Sequence, residues 1–113
     1  MNIEEVGPKL AAAMDAVPVC EGLILAKISG EVLIGQTLTE LNHGEIAKSF
    51  SKLFEVDFSY LERGKLQDYT INLENGSIIA VRNEDHMLIG LLGADGKSSV
   101  GLLVRQLRNI MWK

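Results

Sequence analysis

Hydrophobic residues along the chain follow a helical period, then a strand period, and turn residues stand where the period changes. Near the N-terminus apolar residues recur every three or four positions until Pro18 ends the pattern. Pro8 fits a first helical turn best, because proline lacks the amide N–H that a helix interior uses. We therefore predict a helix that begins near Gly7-Pro8, after a looser turn, and stops at Pro18.

Two strands and a second helix are predicted next. Residues 22–28 are apolar apart from Lys27, which is typical of a strand buried on both faces. A tight turn at residues 29–31 leads into residues 32–38, which return as an antiparallel partner. The period is helical again from residue 42 to about residue 62.

The second half of the chain predicts three more strands. Residues 69–73 alternate between apolar and polar side chains, as a strand with one wet face does. Asn75-Gly76 favours a hairpin with a type I′ turn, since both residues tolerate a positive φ. Residues 77–82 and 86–92 follow as strands joined by a short polar turn.

A last helix closes the chain after a cap at Ser98 or Ser99. Every strand connection except the helical one is short enough for a hairpin, which predicts an antiparallel sheet. The pattern thus predicts one α+β domain over residues 1–113, in the order α-β-β-α-β-β-β-α. The apolar stripe of the last helix consists of Val100, Leu103, Val104, Leu107, Ile110 and Met111.

The middle helix carries more apolar surface than burial on one sheet requires. Its apolar side chains cover about 140° of the helix, and Val56 and Tyr60 widen the arc to roughly 200°. One interpretation is that a single thick core covers this arc. Asp57 interrupts it, so the helix alternatively kinks or ends near Val56. We favour an interface, because exposed apolar surface of this kind usually marks association.

The strand after this helix extends the predicted surface. Residues 67–73 have a polar outer face and no dedicated neighbour, which indicates a sheet edge open to pairing with a second copy. The predicted dimer or partner interface consists of Ile46, Phe50, Leu53, Phe54, Val56, Phe58, Tyr60, Leu61, Tyr69, Ile71 and Leu73.

The residue types that form catalytic, phosphate-binding or metal sites in other proteins make no such motif in this sequence. The glycine-rich stretch 93–98 precedes a helix, but a phosphate loop needs a glycine at position 91, which is Leu91. The two histidines, His43 and His86, have no metal-ligand spacing. Cys20 is interpreted as a small buried residue. We predict no catalytic residue, no cofactor and no metal, so the protein is not expected to be an enzyme.

Composition narrows the partners and the compartment. Hydrophobic residues make up 47% of the chain, enough for a core without a disulfide or metal. The net charge of −4 argues against nucleic acid, whose phosphates need clustered cations. A single cysteine, an acidic N-terminus and the lack of a long apolar run favour a cytoplasmic protein without a membrane span.

Several segments in sequence order resemble the roadblock/LC7 family over essentially the whole chain. They are VCEGLIL at residues 19–25 leading into SGEVLI at 29–34, NGSIIAV at 75–81, HMLIGLL at 86–92 and VGLLVRQLR at 100–108. Each segment is weak alone, whereas their order and spacing are specific. Compactness and the lack of tails favour a small stand-alone prokaryotic member.

The resemblance implies a profilin-like sandwich, with the middle helix on one face of the five-stranded sheet and the terminal helices on the other. It also implies homodimers formed through the middle helices and third strands. Such dimers bind Ras-like small GTPases as activating proteins or scaffolds, or act as light chains in motor complexes. The family supplies no catalytic residue, and fold likeness transfers function only by analogy.

Three functions therefore remain open. The first is a homodimeric regulator or scaffold of a Ras-like small GTPase. The second is a light-chain-like adaptor subunit of a larger motor or signalling complex. The third is a small-ligand sensor, although few convergent polar groups fall at predicted core positions.

Overall fold

A computed structural model describes residues 2–112 and shows three helices around one five-stranded sheet. All strand pairs are antiparallel, which confirms the predicted α+β class and element order. The elements are α1 (Ile3–Ala16), β1 (Cys20–Lys27), β2 (Val32–Thr37), α2 (His43–Phe54), β3 (Asp68–Leu73), β4 (Gly76–Arg82), β5 (His86–Gly93) and α3 (Val100–Met111).

The sheet places its most apolar strands in the middle. Its order is β2-β1-β5-β4-β3, so β2 and β3 are the two edges. In the inner strand β1, Leu23, Ile24 and Leu25 are all almost completely buried. Because neighbouring side chains on a strand point to opposite faces, both faces of β1 must be covered. This confirms the prediction made from its continuous apolar run.

The two faces of the sheet are covered by different helices. On one face α1 and α3 pack over a core that includes Leu25, Leu88 and Leu107. On the other face α2 packs over a smaller core that includes Ile24 and Ile89. The arrangement of one helix against two agrees with the expectation drawn from the family resemblance.

Helix α1 begins earlier than predicted. Asn2 caps it: its side-chain oxygen accepts a hydrogen bond from the Glu4 N–H at 2.9 Å. The Asn2 carbonyl accepts another from Val6 at 3.1 Å. The predicted start near Pro8 is wrong, because a proline removes only one helical hydrogen bond. The cap and the burial of Val6 offset that loss.

Helix α2 ends at Phe54, so the predicted continuation to residue 62 is wrong. The chain leaves the helix in a local turn in which Asp57 Oδ1 accepts from the Ser59 N–H at 2.8 Å. This hydrogen bond lowers the pKa of the Asp57 carboxyl group. Glu62 and Gly64 then adopt positive φ angles of 54° and 87°, which no helix contains. The residues predicted on the helix that lie beyond it are Val56, Phe58, Tyr60 and Leu61.

The predicted hairpin joins β3 and β4, but its turn is not the predicted one. Leu73 pairs with Gly76, so the two loop residues are Glu74 and Asn75. Neither has a positive φ, which excludes a type I′ turn. Gly76 is needed for close packing instead, since a Cβ there would overlap the carbonyl oxygen of Leu92.

The segment before α3 is a short 3-10 helix, Ala94–Ser99, and not an open phosphate-binding loop. Ser99 stands at the N-cap position of α3, as predicted, but its side chain makes no capping hydrogen bond. The preceding 3-10 turns lead directly into α3. The predicted stripe of α3 is confirmed, with Leu103, Leu107 and Met111 buried against the sheet.

Replacing Asn42 with Ala is expected to lower the free energy of unfolding by about 1 kcal/mol. Asn42 is the N-cap of α2, and its Oδ1 accepts from the Glu45 N–H at 3.0 Å. Urea unfolding followed by circular dichroism measures the change. Asn42→Asp keeps an acceptor at this position and should retain most of the stability. Equal losses in both variants would contradict the capping role.

Candidate functional site

The residues with reactive side chains are separated from one another and serve structural roles. Cys20 is buried, and burial raises the pKa of its thiol, so it stays protonated. His43 Nε2 lies 3.0 Å from Thr37 Oγ1, which ties α2 to β2. The backbone N–H of His86 donates to Asn83 Oδ1 at 2.8 Å, which places this residue in the turn before β5. Across residues 2–112 no three His, Cys, Asp or Glu side chains are grouped to hold a metal.

The predicted apolar interface is the remaining candidate for a functional site. Part of it belongs to the core of the subunit. Phe50 and Phe54 are only 5% and 6% exposed. The Phe50 ring stacks on Tyr69 with the centroids 5.7 Å apart, and Phe54 meets the same ring at 4.8 Å. These two phenylalanines therefore hold α2 on its own sheet and present little surface to a partner.

Other predicted residues do reach the surface. Leu53 is 38% exposed, Leu73 52% and Tyr60 76%, and Val56 and Leu61 are also exposed. Four more of the predicted residues are half-buried: Ile46, Phe58, Tyr69 and Ile71.

Helix α2 covers only part of its face of the sheet. One flank is held at the β1–β2 hairpin, where Ser51 Oγ donates to the carbonyl of Ile28 at 2.6 Å. Gly30 of the same hairpin lies under Lys48. At 100° per residue, Ile46 and Leu53 lie on the opposite flank of the helix. Ile46 is half-buried there and Leu53 is exposed, so the sheet does not fully cover this flank.

A groove of about 450 Å³ lies at the end of the sheet that holds the turn between β3 and β4. Its apolar lining includes Leu41, Leu73 and Ile78, and its acidic lining is Glu21 and Glu74. Leu41 and Ile78 were absent from the predicted surface. Leu41 sits in a loop and Ile78 in an inner strand, so no helical or edge-strand pattern indicated them.

Strand β3 presents unpaired backbone groups beside this apolar surface. Among residues 2–112 it pairs with β4 alone. The Arg82 N–H donates to the carbonyl of Gln67 at 3.0 Å, so odd-numbered residues bond towards β4. Antiparallel ladders alternate, and the N–H and C=O groups of Asp68, Thr70 and Asn72 therefore point outwards.

The other edge of the sheet is less suited to pairing. A register shift lies in the β1–β2 ladder at Leu25/Ala26. Bulges of this kind twist an edge and hinder the addition of a strand. Strand β3 pairs with β4 over its whole length without a shift. It is therefore the edge with the more regular template.

Solved structures similar to this one decide the fold family. The roadblock/LC7 domain from Streptomyces avermitilis superposes with a TM-score of 0.75 at 16% identity, covering 90% of this chain and 88% of the other. The gliding protein MglB from Thermus thermophilus gives 0.80 at 13% identity, with 96% and 90% covered. This chain has the roadblock/LC7 fold.

A further solved structure, described as MglB with a tetrameric arrangement, gives a TM-score of 0.72 at 13% identity, with 96% and 91% of the two chains covered. No protein-family model and no curated protein sequence matches the chain. At these identities the structural likeness establishes the roadblock/LC7 fold and leaves function to be argued from the surface.

In this roadblock/LC7-like domain one side chain ties the helix and the edge strand together. The Tyr69 hydroxyl of β3 donates to the carbonyl of Phe50 in α2 at 3.0 Å. Burial raises the pKa of Tyr69 well above its usual value of 10.0. The exposed flank of α2 and the open edge of β3 are thus held as one surface.

No described helix is both long and apolar enough to cross a membrane.

Replacing Tyr69 with Phe is expected to lower the free energy of unfolding by about 1 kcal/mol at neutral pH. The pH dependence should change too. The folded state keeps the phenol protonated, so the unfolded state alone releases this proton above pH 10. Stability from this group is complete below pH 10 and declines as the pH rises further.

Urea unfolding at several alkaline pH values measures both effects. The wild-type protein should lose stability between pH 10 and pH 11 more steeply than Tyr69→Phe. Tyr60→Phe is the control, since the Tyr60 side chain is 76% exposed and its hydroxyl group should contribute little to stability. Parallel profiles for the wild type and Tyr69→Phe would show that Tyr69 titrates as it does in the unfolded chain.

Proposed function

We propose that this protein is a non-catalytic homodimer that binds a Ras-like small GTPase and modulates its nucleotide cycle, as an activator or a scaffold. The observation that carries the proposal is the exposed flank of α2 beside the open edge of β3, in a roadblock/LC7 fold. The resemblance in sequence order implied this pair of elements as the dimer contact.

Physical arguments support self-association through this surface. Leu53 and Leu73 expose apolar area that a second copy would remove from water, at roughly 25 cal/mol for each Å². The open edge of β3 adds backbone hydrogen bonds to the same contact. A two-fold dimer uses one patch twice, which suits a surface that joins a helix and a strand. A similar fold also occurs in an MglB structure described as tetrameric.

Binding to a GTPase is supported by the roadblock/LC7 fold, because the resemblance to that family implies dimers that bind Ras-like small GTPases. A protein of this kind changes a nucleotide cycle by reshaping the GTPase's own site. The paired α2 helices would form one continuous platform across the dimer for that partner.

The test uses small GTPases from the same cell, each loaded with GDP or with a non-hydrolysable GTP analogue. We expect the purified protein to sediment as a dimer at micromolar concentration and to retain one GTPase in one nucleotide state. Stopped-flow nucleotide release and phosphate release then separate exchange, activation and scaffolding. A monomer at that concentration, or equal indifference to every loaded GTPase, would overturn the proposal.

A light-chain-like adaptor is the second candidate, favoured by the groove at the end of the sheet. Leu41 and Leu73 there are exposed next to Glu21 and Glu74, and no described Lys or Arg lines it. Affinity capture from the native cell would return a large complex and no GTPase in that case.

A further inference from the structure

We propose that two copies of this chain pair their β3 strands in one specific register, centred on Thr70. The inference rests on the homodimer proposed above and adds which residues face each other. Asp68, Thr70 and Asn72 direct their backbone N–H and C=O groups away from β4, so these groups are available to pair with a second strand.

Two-fold symmetry limits the possible registers to a few. In an antiparallel pair about a two-fold axis, the numbers of facing residues have a constant sum. A centre at Thr70 places Asp68 opposite Asn72 of the partner subunit, and the reverse pair follows by symmetry. All three outward residues of each strand then pair, which forms about six backbone hydrogen bonds. A centre at residue 69 or 71 leaves one of them outside the ladder between the two strands.

Side-chain charge favours the same centre. Asn72 Oδ1 accepts from Ser77 Oγ at 2.8 Å, which turns the amide N–H₂ group of Asn72 towards other acceptors. The carboxylate of Asp68 is such an acceptor, and one of its oxygens lies 2.7 Å from the guanidinium of Arg108. A centre at residue 71 would instead set Asp68 opposite Glu74 of the partner subunit. Like charges in that position repel.

The register also explains what covers the exposed end of β3. Leu73 would face Gln67 of the partner subunit, and Glu74 would face Leu66 of the partner subunit. The neighbouring Lys65 of the partner subunit comes within reach of Glu74, and symmetry repeats the contact. Glu74 and Lys65 are both exposed in the single subunit, so each is free to form this ion pair.

Disulfide cross-linking of single-cysteine variants tests the register directly. In a Cys20→Ala background we would introduce Thr70→Cys, Asp68→Cys or Asn72→Cys, oxidise each protein and run non-reducing gels. Facing residues at the centre have Cα atoms about 5.5 Å apart, within disulfide range. Two copies of residue 72, or of residue 68, would be about 13 Å apart or more. We expect rapid cross-linking of Thr70→Cys alone, and cross-linking of mixed Asp68→Cys and Asn72→Cys.

The controls separate the register from the dimer itself. Sedimentation of each reduced variant reports whether it is a dimer; a monomeric wild type would overturn the dimer. A dimer that cross-links best through Asn72→Cys or Asp68→Cys, or through none of the three, would overturn the register alone. As an independent readout, Glu74→Lys and Lys65→Glu should each weaken the dimer several-fold, and the double variant should restore it. Failure of this rescue would contradict the predicted cross-strand pair.

Discussion

Replacing Leu53 with Glu is expected to weaken self-association by roughly 100-fold or more, because each copy would bury a carboxylate at a cost above about 1–3 kcal/mol. Leu53 is 38% exposed on the free flank of α2, so the glutamate is hydrated in the separate subunit. The subunit should therefore keep its fold. Sedimentation velocity over a concentration series gives the dissociation constant, and urea unfolding of the diluted monomer checks the stability.

Lys48→Glu is the matched control for this change. Lys48 lies on the opposite flank of α2, above Gly30 of the β1–β2 hairpin. The same carboxylate placed there should leave the dissociation constant within about threefold, as surface charges contribute little. If Lys48→Glu weakened the dimer as much as Leu53→Glu, association would run through the other flank or through net charge.

The two flanks of α2 show how much of the candidate interface could be predicted from the sequence. Helical periodicity correctly identified one broad apolar arc, with Phe50 and Leu53 both on it. Periodicity gives the angle around the helix but not which neighbour covers it. Phe50 packs on Tyr69 of its own sheet, whereas Leu53 remains exposed. Only the position of the sheet separates core from candidate interface.

The end of α2 was harder to predict for a different physical reason. Phe58 and Leu61 continue the apolar period past Phe54, so the pattern alone extends the helix. A single side-chain hydrogen bond from the Ser59 N–H to Asp57 competes with the helical backbone there. Asp57 inside the apolar arc was the signal for this break. Local side-chain competition of this kind outweighs periodicity at helix ends.

The sheet was predicted more completely than the helix ends, because the apolar pattern within each strand indicates how that strand is buried. Continuous apolar runs indicated the buried β1, and alternation indicated the half-exposed β3. The hairpin between β3 and β4 was predicted, but its predicted type I′ turn at Asn75-Gly76 was wrong, since the loop residues are Glu74 and Asn75. Gly76 is fixed by close packing on Leu92 of β5. That contact joins β4 to β5. Turn rules consider only the residues around the turn, so they could not indicate it.

Replacing Thr70 with Pro is expected to weaken the dimer by about 100-fold while the subunit stays folded. The Thr70 N–H points away from β4, and a proline is tolerated at that position of an edge strand. Its ring would occupy the space of the incoming strand. The change also removes two symmetry-related hydrogen bonds, each contributing about 0.5–1.5 kcal/mol. Sedimentation velocity measures the dissociation constant, and urea unfolding should shift by no more than about 1 kcal/mol.

Thr70→Val is the control, because it keeps the backbone N–H and the β-branched shape and loses only the hydroxyl group. It should dimerise within about threefold of the wild-type protein. Together with Leu53→Glu, the proline variant separates the two halves of the surface. If Thr70→Pro dimerised normally while Leu53→Glu did not, the helices alone would hold the dimer and the β3 edge would be free. Loss of dimer in both variants, with both controls intact, requires the helix flank and the strand edge to act as one contact.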